Sequence, residues 1–196
     1  MPSSPRVLVG MPTRGYAYAP SVLRAADLAR QFGHELLLEI GRPIEVVRTR
    51  IVARFLASTA DHLLMIDDDI MGPEGAVERL LALQAAVATA PCPIAMGGRI
   101  ISNVRGLDNE WLTPPPDGVI PVSQTGLGFT LIHRDVFAKI RRPWFQFCVL
   151  AGGQIIGEDM WFSSGVTKAG LEILCDGAVR CSHFKNGLDL LKVARW

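Results

Sequence analysis

Apolar residues in this chain fall into two repeating patterns. Short unbroken runs, such as Val7-Leu-Val9, Leu36-Leu-Leu38 and Leu63-Leu-Met-Ile66, read as strands buried on both faces. Between them, apolar positions recur every three or four residues, the period of a helix with one buried face. The first strand is expected over 6–11, ended by Pro12, with Pro12-Thr13-Arg14-Gly15-Tyr16 as a loop at its carboxyl end. Val22, Leu23, Ala26, Ala29 and Phe32 then mark a helix over 21–32 that stops at Gly33. A second strand follows over 36–40, and a second helix over 44–57 carries Val47, Ile51 and Phe55 along one stripe. The third strand runs from His62 into Asp67-Asp68-Asp69. A third helix is expected over 73–89, with Pro73 near its start and Glu74 and Glu78 in the early turns, then a fourth strand over 93–96 before Gly97-Gly98. Strand and helix alternate cleanly to this point, which predicts a mostly parallel sheet with helices on its faces.

The pattern changes beyond Ile101. Residues 103–123 hold Pro114-Pro-Pro116, Asp117-Gly118 and few periodic apolars, and are expected as a long loop, either a functional lid or an insertion without a role. Thr125-Gly126-Leu127-Gly128 leads into a strand over 129–133, followed by a short helix over 135–140 and an extended aromatic segment over 144–149. Ala151-Gly-Gly153 turns the chain toward a helix over 158–169 that stops at Gly170. Strands over 171–174 and 179–183 are expected as a hairpin about Asp176-Gly177, and the tail from Leu188 to Trp196 as a short amphipathic piece. There is no internal repeat, low-complexity segment or interdomain linker.

Composition narrows the class without changing this outline. Hydrophobic residues make up 49% and charged residues 20% of the 196 positions, which is globular rather than disordered. The net charge of +1 gives no general pull toward nucleic acid or an anionic membrane. The four cysteines form no CxxC pair, so free buried thiols are expected. No apolar run reaches the length of a membrane span, and Met1-Pro-Ser-Ser-Pro5 lacks an apolar signal region. The expectation is a soluble, cytoplasmic protein.

The candidate chemistry starts where the third strand surfaces. Ligands of open α/β sheets bind outside the carboxyl ends of the strands, and there Asp67-Asp68-Asp69 places three adjacent carboxylates. Such acids raise one another's pKa unless positive charge sits among them, and a hard divalent cation is the natural candidate. Positions i and i+2 of a strand share a side, which pairs Asp67 with Asp69. A solvated acidic turn is the plainer alternative; the directness with which the acids follow so apolar a strand favours a metal or ligand site. Glu158-Asp159 opens a helix, where capping alone could explain both acids. The glycine-rich stretch before them favours a base toward a substrate hydroxyl. Arg14, Arg48 and Arg50 are candidate phosphate donors, or else solvated arginines, while Gly126 and Gly128 permit close backbone approach. His183 ends the last strand and on its own reads as a core histidine; His34, His62 and His133 read as structural. The 103–123 loop and the 144–147 segment are candidates for acceptor contact.

Taken in order, these pieces resemble the nucleotide-sugar glycosyltransferases of GT-A fold, in particular the family-2-like group. The matching pieces are Val9-Gly-Met-Pro-Thr13, Arg48-Thr-Arg50, Asp67-Asp68-Asp69, Thr125-Gly-Leu-Gly-Phe129 with Ile132-His-Arg134, Gly157-Glu158-Asp159-Met-Trp-Phe162, and Cys181-Ser-His183. Each is short, and their order and spacing carry the likeness across about residues 6–184. It implies one Rossmann-like GT-A domain with a small antiparallel C-terminal portion. Residues 1–101 would form its nucleotide-binding half and 102–196 its acceptor and catalytic half. The acid triplet is similar to the DXD motif, which implies Mn2+ or Mg2+ held by Asp67 and Asp69, with Asp68 at the ribose or sugar. His183 matches a late histidine that completes the metal site. Pro12, Thr13 and Arg14 would hold the nucleoside, with Arg48, Arg50, Gly126 and Gly128 also on the donor. Asp159, beside Glu158, would be the base of an inverting, hexosyltransferase-like reaction. The implied partners are a UDP-sugar or GDP-sugar and an acceptor carrying a hydroxyl. The chain is short for the group, which leaves the acceptor side to a small acceptor, a partner protein or homo-oligomerisation. The rival readings are a metal-dependent nucleotidyltransferase and a non-catalytic sugar-nucleotide-binding domain.

Overall fold

A computed structural model of the chain describes residues 5–194. Met1-Pro-Ser-Ser4 of the N-terminal segment, and Arg195 and Trp196 of the expected tail, lie outside the described residues. The first half contains β1 (Val7–Thr13), α1 (Ala19–Gln31), β2 (Leu37–Ile40), α2 (Ile44–Ala57), β3 (His62–Ile66), β4 (Ile70–Met71), α3 (Ala76–Ala82), β5 (Val87–Thr89), β6 (Pro93–Met96) and β7 (Arg99–Ser102). The second half adds β8 (Val104–Arg105), β9 (Val119–Val122), β10 (Gln124–Thr125), β11 (Phe129–His133), α4 (Val136–Lys139), β12 (Cys148–Val149) and β13 (Ile155–Ile156). It ends with α5 (Glu158–Lys168), β14 (Ile173–Asp176), β15 (Ser182–Lys185), β16 (Leu188–Asp189) and α6 (Leu190–Val193).

Seven strands form the central sheet in the order β2-β1-β3-β11-β5-β14-β9. Five run parallel, and β11 and β9 run against them. Successive residues of β3 show why its sequence is apolar throughout: Leu63 and Met65 join one core, Leu64 and Ile66 the other. The first core lies under α2 and α5, through Val47, Ile51, Phe55, Phe162 and Val166. The second lies under α1 and α3, through Ala25, Leu28, Val77 and Leu80. Helices therefore cover both faces, as the alternating pattern predicts. Arg134, just after β11, donates to the carbonyls of Phe55, Leu56, Ser58 and Ala60 and so satisfies the open end of α2. Among the described residues no helix is long and apolar enough to cross a membrane.

Several expected elements are redrawn. The helix expected over 73–89 ends at Ala82; Gln84 turns the chain out at φ 51°, and Val87–Thr89 enters the sheet between β11 and β14. A short apolar run is ambiguous by period alone, and its two sheet partners decide it. Residues 93–96 do not extend the central sheet. They pair with β7 as a hairpin, turned by Gly97 and Gly98 at φ 57° and 74°. The expected 103–123 loop contains β8 and the sheet-edge strand β9. The expected hairpin about Asp176-Gly177 is absent: β14 lies between β5 and β9, whereas β15 leaves the sheet to pair with β4 and β16. Long-range pairing of this kind leaves no mark on local periodicity.

Candidate active site

The acid loop is fastened on three sides. The Asp67 amide donates to the Gly128 carbonyl at 3.0 Å, tying the loop to the approach of β11. Tyr18 donates its amide to the Asp68 carbonyl at 2.9 Å, and Phe184 donates to that of Asp69 at 2.8 Å. The Tyr18 and Phe184 rings stack at 4.1 Å, joining the last two fastenings. With backbone groups satisfied in this way, the three carboxylates are held at fixed positions where β3 surfaces.

Each acid has a different partner. Arg48, only 4% exposed on α2, donates from Nη2 to Asp67 Oδ1 at 2.9 Å and lies with Nε 3.3 Å from Glu158 Oε1. The Nε contact is an ion pair without hydrogen-bond geometry, and Nη1 has no partner either. Burial raises the Asp68 pKa against an opposing hydrogen bond from the Thr13 hydroxyl. Asp69 is pushed up by burial, but His183 and Lys185 outweigh this and hold its carboxyl below the usual range. His183 and Lys185 stand two apart on β15, so both side chains reach the same acid: His183 Nε2 is 3.4 Å from Oδ1, and Lys185 Nζ contacts Oδ2.

The tautomer of His183 bears on metal binding. Its Nδ1 lies 2.6 Å from the Pro93 carbonyl, which can only accept, so Nδ1 carries the proton. The lone pair of a neutral ring then points from Nε2 toward a carboxylate oxygen. Two facing acceptors need positive charge on or between them, supplied by a second ring proton or by a metal ion. A carbonyl-oriented imidazole beside a carboxylate is a donor set that suits a divalent ion. Among the described residues no three His, Cys, Asp or Glu side chains converge to hold an ion by themselves. Asp69 and His183 form the ready pair, and Asp67 is turned to Arg48. Mn2+ or Mg2+ fits such a pair when oxygens of a bound phosphate complete its shell.

Glu158 and Asp159 come from the first turn of α5, which lies against Thr125 through Ser163: the Thr125 amide donates to Ser163 Oγ at 3.2 Å. The N-cap is Gly157, with no side-chain cap of its own. Asp159 Oδ1 accepts from the adjoining Met160 amide at 2.7 Å, one of the open amides of the first turn. Burial raises the pKa of Glu158 and of Asp159, and Arg48 opposes the rise in both. A half-buried carboxylate held closer to neutral pH is suited to accept a proton.

Two clefts meet at these residues. One, about 480 Å3 and open to solvent, is lined by Pro12, Thr13, Arg14, Asp68, Asp69 and Glu158, with Phe147 and Lys185 at its sides. The other is lined by Asn103, Trp111, Gln124, Gly126, Gly128 and Asp159. Arg48, Asp67 and His183 belong to both and form the wall between them. The sequence-derived set is thus largely assembled, with three departures. Arg50 lies on the outer side of α2, 3.7 Å from Glu39, away from the acids. Gly126 and Gly128 line the second cleft rather than the donor side. Of the aromatic 144–147 segment, Trp144 and Phe145 are core residues, and Phe147 alone reaches a cleft. Trp111, by contrast, brings the 103–123 segment to the second cleft. Lys185 and Arg42 were missed by sequence reasoning; a lysine two residues beyond His183 on one strand was a usable signal.

No known family pattern matches the sequence, and neither does any curated protein. Solved structures do match. "A197 from STIV" superposes with a TM-score of 0.67 at 23% identity, over 93% of this chain and 87% of that one. GalNAc-T7, crystallised with UDP, GalNAc and Mn2+, superposes with a TM-score of 0.62 at 13% identity, over 93% of this chain and 44% of its own. The chain therefore spans less than half of GalNAc-T7. Mostly parallel order, helices on both faces, acids at the end of the third strand and these likenesses together give the conclusion that the chain has a GT-A-like glycosyltransferase fold.

Proposed function

We propose that this chain is a divalent-metal-dependent glycosyltransferase. It moves a sugar from a nucleoside-diphosphate donor, with UDP-sugars first among candidates, to an acceptor hydroxyl with inversion. The observation that carries this reading is the pair of clefts joined at Arg48, Asp67 and His183, with cations and acids on one side and Asp159 on the other. The first cleft balances four cations, Arg14, Arg42, Arg48 and Lys185, against four carboxylates, Asp67, Asp68, Asp69 and Glu158. A diphosphate entering it adds negative charge that one divalent ion neutralises. GalNAc-T7, of similar fold, was crystallised with UDP and Mn2+.

In this reading Asp69 and His183 would hold Mn2+ or Mg2+, which when bound supplies positive charge to the departing diphosphate, while Asp67 stays on Arg48. Pro12, Thr13 and Arg14 receive the nucleoside at the carboxyl end of β1. Arg48 keeps Asp67 and Glu158 apart from the acceptor by pairing with both. The Asp159 carboxylate takes the proton of the acceptor hydroxyl; that oxygen bonds to the anomeric carbon, and the bond to the diphosphate breaks with its electron pair leaving on phosphate. The second cleft, with Trp111 as an aromatic wall and Asn103 and Gln124 as polar groups in a largely apolar lining, receives the acceptor.

Calorimetric titration with UDP, with and without Mn2+, tests the donor half. The expected outcome is metal-dependent UDP binding that Asp69→Ala abolishes. Metal-independent binding unaffected by that change would refute it. With a UDP-sugar and an acceptor, release of UDP is expected; release of pyrophosphate from UTP and a sugar 1-phosphate, with no UDP released from the UDP-sugar, would assign nucleotidyl transfer instead.

A further inference from the structure

In the reading above Lys185 is only one of four cleft cations, yet it holds a central place. Its backbone lies on β15, which is zipped to the acid loop through the Phe184 amide and the pairing of His183 with Ile70 and Ser182 with Met71. From there Nζ contacts Asp69 Oδ2, while Oδ1 faces His183 Nε2. The lysine side chain is 53% exposed, so it is free to leave Asp69 for a ligand in the same cleft. A metal ion taken up by Asp69 and His183 would sit beside an ammonium already on the same carboxylate, and the two cations repel. An arriving diphosphate removes that repulsion, because its oxygens accept from Nζ as well as bind the ion.

We propose that Lys185 is a built-in cation of the donor site that couples metal binding to nucleotide binding. In the empty cleft it holds Asp69 and weakens the grip of this carboxylate on a divalent ion. When a nucleoside diphosphate enters, Lys185 turns onto a phosphate oxygen and frees Asp69 for the ion. Each ligand then raises the affinity of the other by the same factor, as linkage requires. The inference rests on the donor-site reading, but its metal arm can be measured without any nucleotide.

The experiment is calorimetry on the wild type, Lys185→Met and Lys185→Arg, with Mn2+ alone, UDP alone, and Mn2+ in the presence of saturating UDP. Unchanged melting temperatures verify that the exposed site tolerates the changes. Lys185→Met is expected to bind Mn2+ alone at least five-fold more tightly than wild type, to bind UDP alone at least five-fold more weakly, and to show weaker coupling, keeping only the part made by direct contact of ion and phosphate. Lys185→Arg, which keeps the charge, is expected to stay near wild type. Equal Mn2+ affinity in wild type and Lys185→Met, or no measurable Mn2+ binding in either, overturns the proposal. If Mn2+ binding tightens in Lys185→Met while UDP binds no variant under any condition, the place of Lys185 on the metal ligand stands. The assignment of the cleft to a nucleoside diphosphate, and with it the coupling, then fails.

Discussion

Replacing Arg48 with methionine removes the guanidinium lodged between Asp67 and Glu158 while keeping most of the volume. Asp67 keeps 32% of its side chain exposed and can turn to water; Glu158, at 10%, cannot. Breaking a buried pair by removing one partner costs about 3–5 kcal/mol when the survivor stays charged. Glu158 has an escape, which is to take up a proton. From an ordinary glutamate pKa of about 4.3, protonation at pH 7 costs about 2.7 × 1.36, or roughly 3.7 kcal/mol, and that sets the ceiling. Burial already raises the Glu158 pKa with Arg48 in place, so part of this cost exists in the wild type. The expected loss is therefore about 2–3.5 kcal/mol at pH 7, falling to about 1 kcal/mol or less at pH 5. The sign follows from the raised value: a carboxyl that stays protonated in the fold costs nothing below the ordinary glutamate range and destabilises increasingly as pH rises above it. Urea unfolding of wild type and variant at both pH values, at matched denaturant slope, measures the two differences. Adding Glu158→Gln to Arg48→Met is expected to restore most of the stability at pH 7. An equal loss at pH 5 and pH 7, or a loss under 1 kcal/mol at pH 7, would refute the account of Arg48 as the counter-charge of a buried Glu158.

Two further outcomes are expected. Asp159→Asn should leave UDP affinity unchanged and lower transfer by about 10²–10⁴-fold, the range for loss of a general base. Because burial raises the Asp159 pKa, kcat/KM should decline on the acid side at a pH above the ordinary aspartate range, as the base form is lost; loss of UDP binding in this variant would remove the assignment. Gly72→Ala places a methyl 2.3 Å from Phe129 Cε2, a fully buried ring, and should destabilise the fold by about 1–3 kcal/mol in the same unfolding assay.

The sequence by itself determined the elements whose pattern is local. Helix α2 begins and ends where its apolar stripe does, and β1 and β3 follow from runs that only a sheet covered on both faces can bury, whereas β2, at the sheet edge, leaves Leu38 and Ile40 exposed. It also placed Asp67-Asp68-Asp69 and Glu158-Asp159 at the ends of elements, where ligands of such sheets bind. Backbone pairings across long sequence separations were decided by the tertiary structure alone. Val87–Thr89 is a strand because β11 and β14 flank it, and β15 leaves Cys175 and Asp176 behind because β4 offers it an edge beside the acids. That second choice carries the site: it sets His183 and Lys185 on the two oxygens of Asp69, and the Pro93 carbonyl of a hairpin misread as a sheet strand fixes the ring that faces it. The charges of the triplet were legible because composition records them. Which cation answers each of them was not, since Arg48, His183 and Lys185 reach those oxygens only after the chain has folded.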